Sequence, residues 1–215
     1  MEPQEVIAML NQYMEQAASA IESEGGVVDK YVGDEVMAIF GAPVQSNDDP
    51  LRAVRAAIKI KENIDMLNKK RKSQNEPEIK IGIGINTGIA VAGNMGSANR
   101  LNYTVLGESV NVAARLCSQA RPGEILVSQD TYSHVKTVIH AEPRDIKPMK
   151  GISRPVNVFS VSGYKRKASG VFGAMALVFL LLSGIFGSTF LTAAPALQWV
   201  TSGGEFQVDI SGRVQ

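Results

Sequence analysis

The chain has 215 residues, a length that suits one domain with an appendage. Its formal net charge of +1 excludes a protein that binds polyanions through its overall charge, and we expect no nucleic-acid partner. The single cysteine, Cys117, excludes an internal disulfide, and the opening segment MEPQEVIAML lacks the basic start of an amino-terminal signal peptide.

Helix and strand patterns alternate along the first part of the chain. Pro3 marks a helix start, and the helix is predicted to end near Gly25-Gly26. Its apolar face is formed by residues at spacings of three and four, namely Val6, Leu10, Tyr13, Met14, Ala17 and Ile21. Residues 27–40 predict two strands joined by a polar turn at Gly33-Asp34. A second helix is predicted from Asp48 to about Lys70.

The alternation continues through the middle of the chain. Residues 79–91 predict strand with a turn near residues 86–88, and a third helix begins near Gly107. Short strands are predicted at residues 124–128 and 156–161. This order predicts an α/β or α+β sandwich in which helices back a sheet.

A segment without charged residues follows the basic run Lys165-Arg166-Lys167. Residues 171–194 are apolar or small, and at ~1.5 Å per residue they could cross a ~30 Å hydrocarbon layer. We therefore expect one transmembrane helix, a membrane as partner, and a membrane-bound localisation with the preceding domain in the cytoplasm, since basic residues favour that side. Two alternatives remain for this segment. It could be a buried core helix, or it could be a cleavable internal signal, which the small residues Ala193 to Ala196 suggest.

This pattern predicts four regions. Residues 1–163 form the main domain, 164–170 a basic linker, 171–194 the span and 195–215 a short extracytoplasmic tail.

Three segments carry the residues that suggest chemistry. They are VVDKYVGDEVMAIFGAP at 27–43, GIGINTGIAVAGNMGS at 82–97 and NYTVLGESVNVAARL at 102–116. Taken singly, each has an ordinary structural explanation. Asp34 could cap its turn, Lys30 could be a solvated lysine, and Asn111 and Arg115 could be an exposed pair on one helix face.

The three segments in this order resemble the catalytic core of class III adenylate and guanylate cyclases, from about Glu2 to Val161. The resemblance implies the class III cyclase sandwich. It also implies conversion of ATP to 3′,5′-cyclic AMP and pyrophosphate at the interface of two subunits, as part of cyclic-nucleotide signal transduction. Two divalent ions, Mg²⁺ or Mn²⁺, are expected as cofactors, and ATP and a second cyclase subunit as partners.

The same resemblance assigns roles to individual residues. Asp34 matches one of two aspartates that hold the metal ions. Lys30 and Thr104 match the positions that read the purine, and a Lys with a Thr there favours adenine over guanine. Asn111 and Arg115 match the pair that orients the ribose and bonds the α-phosphate in the transition state.

Lys150 is a weaker candidate. It matches a lysine that some cyclases place on the β- and γ-phosphates, but a shift of two residues would put Ile152 there instead. The glycine-rich stretch 82–96 has no G-K-[ST], so it is not predicted to be a phosphate loop. It resembles the family's dimer-arm hairpin, which implies a role in structure and in the subunit interface.

One departure from the family pattern bears on activity. Class III cyclases begin with a central strand that ends in the other metal-binding aspartate, and this sequence begins at the helix that follows it. We therefore expect a fragment, a mis-assigned start or a truncated gene, with unpaired strand edges and little activity of its own. A non-catalytic cyclase-like partner is the alternative, and a guanylate cyclase is a further one that Lys30 argues against.

Overall fold

The computed structural model describes residues 2–97, 100–152 and 155–165, together with the backbone of residues 207–214. The helices are α1 (Pro3–Ser23), α2 (Asp49–Ser73), α3 (Glu108–Gln119) and α4 (Gln129–Val135). The strands are β1 (Val27–Val32), β2 (Glu35–Phe40), β3 (Ile81–Gly88), β4 (Val91–Ser97), β5 (Arg100–Leu106), β6 (Ile125–Ser128), β7 (Ile139–Pro143), β8 (Val158–Tyr164) and β9 (Gln207–Val214).

Seven strands form one sheet in the order β1-β2-β9-β3-β6-β8-β7, and β4 pairs with β5 in a separate hairpin. Strands β3 and β6 run parallel, and the other neighbouring pairs described in this sheet are antiparallel. Helix α4 and strand β7 were not predicted, because both are short and the sequence around them lacks a sustained period.

Helices cover both faces of the seven-stranded sheet. In β6, Ile125 and Val127 pack into the apolar cluster that includes α1 and α2, whereas Leu126 packs into the cluster of α3. Successive side chains of a strand point to opposite faces, so α1 and α2 lie on one face and α3 on the other. The predicted α/β sandwich with helices backing the sheet is therefore confirmed.

The apolar face predicted for the first helix is the face that α1 buries. Tyr13, Ala17, Ala20 and Ile21 are all at most 2% exposed. Fully burying one large apolar side chain contributes roughly 1.5–3 kcal/mol, so this face fixes α1 against the sheet.

Strand β9 lies in the middle of the sheet. Its residues 208–213 pair with Phe40–Glu35 of β2, and its residues 207–214 pair with Gly88–Ile81 of β3. The sequence predicted unpaired edges in this part of the sheet, and β9 fills the gap between β2 and β3. Local sequence patterns along the tail give no sign of this position, because the pairing partners of a strand are set by the strands on either side of it.

The transmembrane part of the predicted fold is corrected. Within the described residues, no helix is both long and apolar enough to cross a membrane. The predicted span itself, residues 171–194, lies outside the described residues. The strand that follows the predicted span, β9, pairs with β2 and β3 of the sheet. The predicted localisation is not tested by these observations.

Candidate active site

Lys30 and Thr104 are 74 positions apart in the sequence, and their side chains are in direct contact. The Lys30 Nζ donates a hydrogen bond of 2.7 Å to the Thr104 Oγ1. Lys30 lies on β1 and Thr104 on β5, so this bond joins the seven-stranded sheet to the β4–β5 hairpin. The Lys30 side chain remains 42% exposed, which leaves its ammonium accessible to a ligand.

A third residue, Asp29, completes this cluster, and sequence reasoning missed it. Its Oδ2 accepts a hydrogen bond of 2.9 Å from the Thr104 Oγ1 and lies 3.1 Å from the Lys30 Nζ. The Asp29 side chain is only 2% exposed. A buried carboxylate is tolerated when it is paired and hydrogen-bonded, as this one is. The only available signal in the sequence was an Asp beside a Lys within an apolar strand.

An irregularity in β1 explains how two consecutive residues reach the same hydroxyl. The pairing with β2 shifts between Val28 and Lys30, so Asp29 is the extra residue of a β-bulge. In a regular strand, neighbouring side chains point to opposite faces. A bulge re-aims a side chain, and here Asp29 and Lys30 both contact Thr104.

Asp34 lies in the two-residue turn between β1 and β2 and is half-buried. Gly33 opens this turn with a φ of +62°, a conformation that favours glycine at the first central position of a hairpin. The Tyr13 phenol of α1 lies near this turn. Burial is the main cause that raises the pKa of Tyr13, and the Cys117, Asp34 and Glu35 groups raise it further.

Asn111 and Arg115 are exposed on α3, on the side away from the buried Val112 and Leu116. Neither side chain has a hydrogen-bond or ion-pair partner within the described part of the chain. The helix follows β5 after a single residue, Gly107, so the strand that carries Thr104 also leads directly into α3.

The start of α3 is anchored by residues that the sequence analysis did not single out. The Asn86 Nδ2 donates to the Ser109 carbonyl oxygen at 3.0 Å, and the Ser109 Oγ donates to the Ile89 carbonyl oxygen at 2.8 Å. Asn86 is 1% exposed and lies on the central strand β3. These bonds hold the helix that carries Asn111 and Arg115 against the sheet.

Lys150 stays apart from the other candidates. Its side chain is exposed in the turn formed by residues 150 and 151. No hydrogen bond or ion pair in the described part of the chain joins it to the other predicted site residues. The structure therefore brings Lys30 and Thr104 together and places Asn111 and Arg115 on one helix face, but it does not connect Lys150 with them.

The predicted metal ligand is Asp34. Carboxylate oxygens suit Mg²⁺ and Mn²⁺, and Asp34 offers such a group at the predicted turn. Among the described residues, however, no group of three or more His, Cys, Asp or Glu side chains could hold a metal ion.

Comparison with known proteins identifies the family. The family model of the adenylate and guanylate cyclase catalytic domain matches residues 1–163. Adenylate cyclase 1 of Rhizobium meliloti is 31% identical over 166 residues, which are 76% of this chain and 25% of that protein. The chain belongs to the class III adenylate and guanylate cyclase catalytic domain family, and it spans about a quarter of the length of this curated relative.

Solved structures agree with this assignment. The adenylyl cyclase CyaB of P. aeruginosa is 36% identical with a TM-score of 0.73, and the match covers 77% of this chain and 86% of that one. The guanylyl cyclase Cya2 is 34% identical with a TM-score of 0.72, and the match covers 79% and 86%. The resemblance stated from the motifs is confirmed. Because both an adenylyl and a guanylyl cyclase match this well, the fold alone does not select the nucleotide.

Proposed function

We propose that this chain is the catalytic domain of an adenylate cyclase, which converts ATP to 3′,5′-cyclic AMP and pyrophosphate. The observation that carries the proposal is the 2.7 Å bond between the Lys30 Nζ and the Thr104 Oγ1. It brings a donor and a hydroxyl together where the family reads the base, and these groups complement the ring nitrogen and amino group of adenine.

The candidate residues then divide the work of binding and catalysis. Lys30 and Thr104 bind the adenine, and Asn111 orients the ribose so that its 3′-oxygen faces the α-phosphorus. The 3′-hydroxyl gives up its proton to water, a bond forms between its oxygen and the α-phosphorus, the bond from the phosphorus to the bridging oxygen of the β-phosphate breaks, and pyrophosphate leaves. The Arg115 guanidinium stabilises the charge that develops on the α-phosphate oxygens, because its fork of N–H groups remains charged and matches phosphate geometry.

We also propose that the working form is a dimer. Large apolar residues are exposed on and beside the β4–β5 hairpin, including Ile89 (78% exposed), Val91 (67%) and Leu101 (58%). Contiguous exposed apolar surface favours a protein partner, and a second cyclase subunit is the partner that the family implies. Sedimentation of the wild type and of Val91→Glu tests this: we expect a dimer that the charged residue weakens, and a wild type that is monomeric at all concentrations would contradict it.

Turnover is the direct test of the enzyme. The chain is incubated with ATP or GTP and with Mg²⁺ or Mn²⁺, and cyclic nucleotide and pyrophosphate are measured together. Little product is expected from the chain by itself, and we expect that product to be cyclic AMP in excess over cyclic GMP, with pyrophosphate in equal amount. Preferential formation of cyclic GMP would replace the proposal with a guanylate cyclase.

A non-catalytic cyclase-like partner is the second candidate, favoured by the finding that Asp34 lies in no three-ligand cluster among the described residues. Complementation separates it from the first. A relative whose residues aligned with Lys30 and Arg115 have been replaced is mixed with this chain. Recovery of cyclic AMP formation with the wild-type chain, and loss with Arg115→Ala, would show that Arg115 acts in catalysis. If the wild-type chain and Arg115→Ala restore cyclic AMP formation equally, the regulatory role is favoured.

A further inference from the structure

The hydrogen bonds of the Thr104 hydroxyl have a defined direction. A hydroxyl has one hydrogen to donate and two lone pairs to accept with. A carboxylate only accepts, so the 2.9 Å bond to the Asp29 Oδ2 uses the hydroxyl hydrogen. An ammonium only donates, so the 2.7 Å bond from the Lys30 Nζ occupies one lone pair. One lone pair of the Thr104 Oγ1 is left for a ligand.

The free positions of Lys30 can be counted in the same way. Its ammonium has three N–H groups, of which one donates to the Thr104 Oγ1, and the ammonium forms an ion pair with the Asp29 Oδ2 at 3.1 Å. At least one N–H is left to donate to a ligand. The cluster therefore presents one acceptor, on Thr104, and one donor, on Lys30.

This pair of free positions distinguishes the two purines. Adenine carries an amino donor at position 6, whereas guanine carries an oxygen acceptor there. At N1, adenine offers an acceptor and guanine an N–H donor. Adenine can thus satisfy both free positions, whereas guanine would set acceptor against acceptor and donor against donor. A site that leaves buried polar groups unpaired rejects that ligand strongly.

We propose that Asp29 determines the adenine preference of this site by holding the Thr104 hydroxyl in its accepting orientation. This role rests on the proposed adenylate cyclase function. Without a carboxylate at position 29, the hydroxyl can rotate, point its hydrogen at the ligand and donate to the guanine oxygen. Asp29 has access to Thr104 because the β-bulge turns it there, and its 2% exposure keeps water from competing for the bond. Asp29 is a positioning residue, since it acts through Thr104 and Lys30.

The experiment measures binding rather than turnover. The probes are 3′-deoxy-ATP and 3′-deoxy-GTP, which lack the attacking hydroxyl, and their Kd values are obtained by displacement of a fluorescent ATP analogue. The variants are Asp29→Asn, which keeps the side-chain shape, and Asp29→Ala. Asp65→Asn is the matched control, because Asp65 also pairs with a lysine, Lys61, but is 55% exposed on α2.

We expect the wild type to favour the adenine nucleotide and Asp29→Ala to reduce the ratio of the two Kd values about tenfold. Asp29→Asn should reduce it less, because its amide oxygen can still accept from the Thr104 hydroxyl, and Asp65→Asn should leave it unchanged. Thr104→Ser, which retains a hydroxyl, should keep the preference. Thr104→Val should lose it, and adding Asp29→Asn to Thr104→Val should change the ratio little further, since the two residues act as a unit.

Two negative outcomes are distinguishable. A wild type that binds both nucleotides equally would overturn the adenylate assignment, and with it this role of Asp29. A wild type that discriminates, with an unchanged ratio in folded Asp29→Asn and Asp29→Ala, would overturn the role of Asp29 alone. In the latter case, equal weakening of both nucleotides would identify Asp29 as a purely structural residue.

Discussion

At the scale of single residues, Arg115 offers the sharpest test of catalysis. Its guanidinium is exposed on α3 without a partner in the described part of the chain, so its removal leaves no buried group unpaired. In the mixture with the complementing relative, we expect Arg115→Ala to lower kcat for cyclic AMP formation by about 10²-fold or more and to change KM far less, because the contact belongs to the transition state. Steady-state kinetics measure both constants. Arg121→Ala, at an exposed arginine just after α3, is the control, and a change confined to KM would mean that Arg115 binds only the ground state.

Glu124 gives a pH-dependent prediction at the same scale. Partial burial acts to raise the pKa of the Glu124 carboxyl, but hydrogen bonds from the Arg121 N–H and from Arg144 outweigh it and lower the pKa below its ordinary value. Because the pKa of Glu124 is lower in the folded protein than in the unfolded chain, its carboxylate stabilises the fold fully above the unfolded pKa of about 4.3. This stabilisation is lost as the pH falls through the pKa of the folded protein. Glu124→Gln should therefore lower the free energy of unfolding by about 1–2 kcal/mol at neutral pH and by less in acid. Urea unfolding at several pH values measures this, and Glu22→Gln, at an exposed site, should show no such trend.

At the scale of elements, the approach of α3 to β3 decides where Asn111 and Arg115 lie. A Cβ at Gly84 would lie 2.5 Å from the Ala113 carbonyl oxygen and closer still to the Cys117 amide nitrogen. We expect Gly84→Ala to push α3 outward, to destabilise the fold by about 1–3 kcal/mol and to reduce activity. The control is Gly93→Ala in β4, where a Cβ would meet nothing within 4 Å. Equal thermal stability of the two variants would contradict this close packing.

At the scale of the whole molecule, β9 supplies the hydrogen-bond partners of two strands at once. Ile210 pairs with Ala38 of β2 and with Ile85 of β3. Proline has no N–H and breaks a central ladder, so Ile210→Pro should destabilise the domain by about 3 kcal/mol or more, whereas Ile210→Val should have little effect. Denaturant unfolding measures the loss, and faster amide exchange in β2 and β3 should accompany it. Unchanged stability and exchange would mean that the sheet does not depend on β9.

Local patterns along the chain determined much of the architecture and the family. The apolar spacing in α1 follows the 3.6-residue period, so the buried face could be read directly from the sequence. The Gly33-Asp34 turn between two apolar runs predicted the β1–β2 hairpin. The three motifs in order identified the cyclase family and named Lys30 and Thr104 as partners. These features are visible because each depends on residues that are close in the sequence or on a recognisable motif.

Only the tertiary structure decided the rest. The position of β9 depends on which strand edges are left unpaired, and no local period encodes a pairing partner. In the sequence Asp29 resembles an ordinary strand residue, and only the folded structure shows that the bulge directs its side chain to Thr104, 75 positions away. Asn86 acquires its role only through its bond to the Ser109 backbone, which the packing of α3 on β3 brings within reach. Hydrogen-bond direction in a buried cluster is a property of the assembled fold, because it depends on which donors and acceptors meet there.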